Sequence, residues 1–129
     1  MNARRFLSVL LASTLTLAAG NVLAQGNWPE KPIRVIVPFA AGNVLDVALR
    51  QVSEEIKKDT GQGILIDNKP GGSGIIAVQT LMQAPPDGHT LLLSNTSMLT
   101  INPFTFSKLP YDTEKSFKHV TGFLGASLV

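Results

Sequence analysis

Hydrophobic positions along this chain follow two periods. In Ile33 to Val37 (IRVIV), β-branched residues crowd together without alternation, the pattern of a strand buried on both faces. Leu45, Ala48, Leu49, Val52 and Ile56 then recur at helical spacing, with Arg50, Gln51, Glu54, Glu55, Lys57 and Lys58 on the opposite side. Lys57 and Lys58 suit the negative end of that helix, Glu54 and Lys58 are spaced for an i,i+4 pair, and Gly61 supplies the stop. Gly63 to Asp67 predicts a second strand and Asn68 to Gly74 (NKPGGSG) a loop. Ile75 to Gln83 predicts a helix without a charged residue, one that packs on more than one side. After a Pro85–Gly88 turn come a third strand, Thr90 to Leu93, and a polar loop, Ser94 to Ser97. Asn102 to Asp112 predicts an irregular excursion, Asp112 to Phe117 a helical turn, and Val120 to Leu124 a fourth strand.

Strands and helices that alternate at this spacing specify an α/β fold with a parallel sheet and flanking helices. Right-handed crossovers place every strand-to-helix connection at one edge of such a sheet. The loops Ala40–Leu45, Asn68–Gly74 and Ser94–Ser97 are therefore expected to converge at the carboxyl edge, where open α/β sheets bind ligands. Short side chains and helix starts would there offer backbone N–H groups to a small anion.

Composition changes this picture at the N-terminus. Arg4 and Arg5, the mostly apolar run Phe6 to Ala19 and the small residues of Val22-Leu23-Ala24 have the layout of a secretory signal peptide cleaved after Ala24. Without residues 1–24, nine Lys+Arg face nine Asp+Glu, so the net charge falls from +2 to zero. No cluster of basic residues remains to bind nucleic acid. The chain has no cysteine, which excludes disulfides and thiolate metal sites. Export without disulfides suits a periplasmic location. No cofactor or metal is expected, because the chain holds neither G-x-G-x-x-G nor a Walker A sequence and has only two histidines. Gly71-Gly72-Ser73-Gly74-Ile75 falls one residue short of a nucleophile elbow, and His89 and His119 have no evident catalytic partner. No catalytic residue is assigned.

Several motifs, in order and at matching spacing, resemble the Bug/TctC-type receptors of tripartite tricarboxylate transporters. They are Trp28-Pro29 with Lys31-Pro32-Ile33, Pro38-Phe39-x-Ala41-Gly42 with Asp46, and Asn68-Lys69-Pro70-Gly71. Pro86-Asp87-Gly88 with Thr90-Leu91-Leu92, Ile101-Asn102-Pro103 and Leu109-Pro110-Tyr111-Asp112 continue the series, so that the similarity covers residues 28–124. The resemblance implies lobe one of a two-lobed "Venus flytrap" that captures a small carboxylate or related solute for membrane permease subunits. Carried over by position, it makes Phe39, Ala40, Ala41, Gly42, Asn43 and Asp46, then Gly72, Ser73 and Gly74, and finally Ser94, Asn95, Thr96 and Ser97 the ligand-facing residues. Asp46 would accept from a ligand hydroxyl or ammonium, or orient a water.

Two departures qualify this implication. Asn43, Val44 and Leu45 stand where the family has more glycine and a small hydroxyl; Asn43 could cap the helix, and Val44 and Leu45 could narrow the cradle. A two-lobed receptor also needs roughly 250–300 residues at ordinary domain sizes, so a chain ending at Val129 implies a partial first lobe over residues 25–129, without the second. Three readings stay open: a truncated solute-binding protein, a non-binding remnant of one, and a small periplasmic α/β hydrolase.

Overall fold

A computed structural model describes residues 28–125; the signal-peptide expectation for residues 1–24 lies outside them. The sheet has three parallel strands, β1 (Ile33–Val37), β2 (Ile64–Asn68) and β3 (Thr90–Leu92), in the order β2-β1-β3. Ile33 lies opposite Ile64 and Val37 opposite Asn68, while Arg34 lies opposite Thr90. Central β1 is the most buried strand, as its lack of alternation predicts.

Helix α1 (Val44–Thr60) crosses from β1 to β2, and α2 (Ile75–Met82) from β2 to β3. On one face of the sheet Ile33, Val35, Val37 and Leu49 form a core with Phe39, Ile64, Ile66, Leu91, Leu93 and Phe123 packed on it. A second core joins Val78, Met98 and Tyr111 to Ile75, Leu92, Leu109 and Phe117. The two cores are what period-two side-chain alternation gives a central strand.

Helix α1 ends as expected: Gly61 takes a left-handed conformation and its N–H bonds to Lys57 O at 2.9 Å. Its buried line, however, is Asp46, Leu49 and Ser53, whereas Val52 stays 38% exposed. Ser53 faces inward because its hydroxyl accepts from Ile64 N at 2.9 Å and so fixes the start of β2. Lys58 pairs with Glu55, at 2.7 Å, rather than with the predicted Glu54.

Two further expectations are corrected beyond β3. Ser97–Ile101 forms a π-helical turn that runs directly into a short helix, α3 (Asn102–Thr105), in the stretch predicted as irregular. Pro103 is tolerated there because it stands in the first turn, where no intrahelical N–H is required. Val120 to Leu124 is not a fourth strand. Phe123 alone packs inward, while Val120 and Leu124 are exposed; without a partner strand, β-branched residues do not make a ladder.

Candidate functional site

Each strand of the sheet leads into a connection at its carboxyl end, so the three predicted loops lie along one edge. In the first, Asn43 caps α1: its Oδ1 accepts from Asp46 N at 2.9 Å and its Nδ2 donates to Ala40 O at 3.0 Å. Asp46 is buried, and its Oδ2 accepts from Gly42 N at 2.9 Å and from Arg50 Nε at 3.0 Å. Its Oδ1 accepts from Asn68 Nδ2 and from Arg50 Nη2, both at 3.3 Å. The Gly42 N–H and then the Arg50 guanidinium hold this carboxyl below the usual carboxylate range. Both oxygens of Asp46 are thus engaged within the chain. Asn68 also donates to Phe39 O at 3.1 Å, tying the first loop to the end of β2.

The second loop turns through four successive residues of positive φ, Gly71 to Gly74, and Ser73 alone among them carries a side chain (φ 52°). A left-handed non-glycine residue costs on the order of 1 kcal/mol. This one is held from outside, because buried Asn102 donates from Nδ2 to Ser73 O at 2.9 Å. The same Nδ2 donates to Tyr111 Oη at 3.1 Å, and that hydroxyl donates to Met98 O at 2.8 Å. In the third loop, Asn95 Oδ1 accepts from Met98 N at 2.9 Å. One hydrogen-bonded chain therefore links the second loop, the π-turn and the Leu109–Tyr111 segment.

A cleft of about 370 Å³ opens between these connections, within the size range of small-ligand sites. Of the residues expected to face a ligand, Phe39, Ser73, Gly74, Asn95 and Ser97 line it, as does Gly71 of the same expected second loop. Ala40, Ala41, Gly42, Asn43, Asp46, Gly72, Ser94 and Thr96 do not. Val44 and Leu45 do not narrow it either, and Val44 is 75% exposed. Sequence reasoning missed Pro38, Met98, Ile101, Asn102, Thr105 and Phe106 as lining residues. The signal for four of them was present: positions 98, 101, 102 and 105 have i, i+3, i+4, i+7 spacing, one face of a helix. Ser73 N and Ser97 N find no acceptor among the described residues, so the cleft has free backbone donors beside it.

A wider depression, about 660 Å³, lies beside Trp28, Pro29, Glu30, Asp59, Thr60 and Gln62, at the opposite end of the sheet from the loops. His89 is also at that end, immediately before β3, buried against Trp28 with ring centroids 5.9 Å apart. Ser73 and His89 therefore stand at opposite edges of the sheet.

Residues 48–129 match the family described as "Tripartite tricarboxylate transporter family receptor". The chain belongs to this family. It is a family of periplasmic solute-binding receptors, not of enzymes. A UPF0065 protein of Bordetella bronchiseptica is 42% identical over 112 residues, which are 86% of this chain and 33% of that one. MatC of Rhodopseudomonas palustris, solved with bound malate, is 36% identical with a TM-score of 0.62, over 70% of this chain and 31% of its own. R. palustris Rpa4515, solved with adipate, is 29% identical with a TM-score of 0.61, over 67% and 29%. This chain spans about a third of the length of the curated relatives it matches. Within the family fold, its parallel sheet and helices correspond to part of a periplasmic binding protein.

Proposed function

We propose that residues 25–129 are the N-terminal part of lobe one of a periplasmic solute receptor, in a chain exported by its first 24 residues. Its carboxyl-edge cleft holds a small carboxylate through main-chain N–H groups, for delivery to the permease subunits of a tripartite tricarboxylate transporter. The observation that carries this reading is the convergence of three strand-to-helix connections on one cleft, with Ser73 N and Ser97 N unbonded among the described residues. Donors of this kind suit an anion, and each charge-assisted hydrogen bond contributes roughly 1.5–3 kcal/mol. Malate in MatC and adipate in Rpa4515 support a carboxylate ligand. Asn95, Ser97 and Ser73 form the rim, whereas Asp46, Gly42 and Asn43 shape the first loop by bonding to one another.

The test is calorimetric titration of the full chain with dicarboxylates, amino acids and aromatic acids, alongside the corresponding neutral amides. Saturable binding of an acid, absent for its amide and little changed by Ser73→Ala, is the expected result. Uptake of amides as tight as that of acids would refute an anion site. No saturable binding by any compound would favour the non-binding remnant.

A further inference from the structure

Pro103 sets the frame in which the second loop is held. In the π-turn an N–H reaches back five residues, as Asn102 N does to Ser97 O. The next bond of that series would run from residue 103 to Met98 O, and proline has no N–H to make it. Tyr111 Oη donates to Met98 O instead, at 2.8 Å. The same hydroxyl accepts one hydrogen of the Asn102 amide, at 3.1 Å, and the other goes to Ser73 O at 2.9 Å. A carbonyl oxygen only accepts, so Ser73 requires the amide nitrogen and not its oxygen. The backbone of Asn102 is held on both sides, by Ser97 O and by Phe106 N at 3.0 Å, and the residue is 3% exposed. It therefore presents one fixed donor to the one residue with a side chain in the left-handed turn. A residue with a Cβ leaves that region readily, and apparent affinity falls with the fraction of molecules whose loop is in the binding conformation.

We infer that Asn102 is the positioning residue of the cleft: its amide selects the left-handed turn at Ser73 and so fixes where the main-chain donors of the second loop point. The inference rests on the carboxylate reading above and adds to it the residue that governs affinity through the loop.

The experiment is calorimetric titration of the full chain with malate and with adipate. Asn102→Leu is expected to weaken both about tenfold, the scale of one buried hydrogen bond. Ser53→Ala removes a buried hydroxyl at the start of β2, the opposite end of the sheet. It should lower the urea midpoint yet leave both affinities within about twofold. In a Ser73→Gly background, where the left-handed angle carries no Cβ penalty, Asn102→Leu should cost about threefold or less. Ser73→Val and Ser73→Gly decide the matter without altering the core: valine should bind about tenfold more weakly than glycine. An unchanged affinity in Asn102→Leu, an equal loss in Ser53→Ala, an undiminished loss in the glycine background, or equal binding by the two Ser73 variants would each overturn the inference and leave the carboxylate reading standing. Failure of both acids to bind the unaltered chain would overturn both readings.

Discussion

Alanine at position 74 has nowhere to put its methyl group. Gly74 is buried with φ +87°, and a Cβ built on it would stand 2.6 Å from Met98 Sδ, 2.7 Å from Cε and 2.9 Å from Cγ. Contact with Cγ matters most, because rotation of the thioether end alone cannot relieve it. Two costs are therefore expected in Gly74→Ala. A left-handed conformation at a residue with a Cβ costs about 1–2 kcal/mol. Overpacking against Met98, itself almost fully buried in the second core, adds about 1–3 kcal/mol. The sum, about 2–5 kcal/mol, is a large part of an ordinary domain's stability. The two costs separate in a double-mutant cycle, with Gly74→Ala measured in the parent and in Met98→Ala by urea unfolding. Met98→Ala alone should cost about 2–5 kcal/mol through the cavity it leaves. In that background the second substitution should retain only its backbone cost, so the pair comes out about 1–3 kcal/mol less destabilising than additivity demands. Additivity within about 0.5 kcal/mol would show that the Met98 contact does not limit position 74.

Two other measurements address the network and the charges around the site. Tyr111→Phe removes both the donor to Met98 O and the acceptor for Asn102, and should cost about 1–3 kcal/mol in urea unfolding; a loss under about 0.5 kcal/mol would mean that the hydroxyl does not hold the network. Asp46 and Asp67 have folded-state values below the ordinary carboxylate range, chiefly through Gly42 N–H and Arg34 respectively. Their stabilisation is therefore complete above the unfolded value, about 3.9, and is lost as pH falls through the folded values. Asp46→Asn should flatten the decline of unfolding free energy below about pH 4, and an unchanged acid limb would contradict the assignment.

Sequence pattern revealed the strands and the two crossover helices well because each is encoded locally, by β-branched runs and by an apolar stripe with a glycine stop. It failed where the deciding partner is remote. Ser53 is not among the apolar positions that mark the stripe, yet it is buried, with its hydroxyl accepting from Ile64 N. Val120 to Leu124 has strand composition, but no strand pairs with it. The helical segment from Ser97 was hidden by Pro103, whose position in a first turn depends on where the helix begins. The candidate site divided in the same way. Loop positions followed from topology, but whether a residue faces the cleft or bonds within its own loop depended on distant groups. Asp46 faces inward because Arg50 and Asn68 claim its oxygens, and Asn102 lines the cleft because Ser73 O and Tyr111 fix its amide.

None of the described residues that line the carboxyl-edge cleft carries an ionisable side chain, and this has a consequence for ionic conditions. Two full charges at a protein surface lose much of their attraction when added electrolyte surrounds both. Oriented amides grip an ion only at contact range, well inside the roughly 8 Å over which physiological electrolyte screens. An anion site built on such dipoles would keep its grip as the surrounding medium swings between dilute and briny.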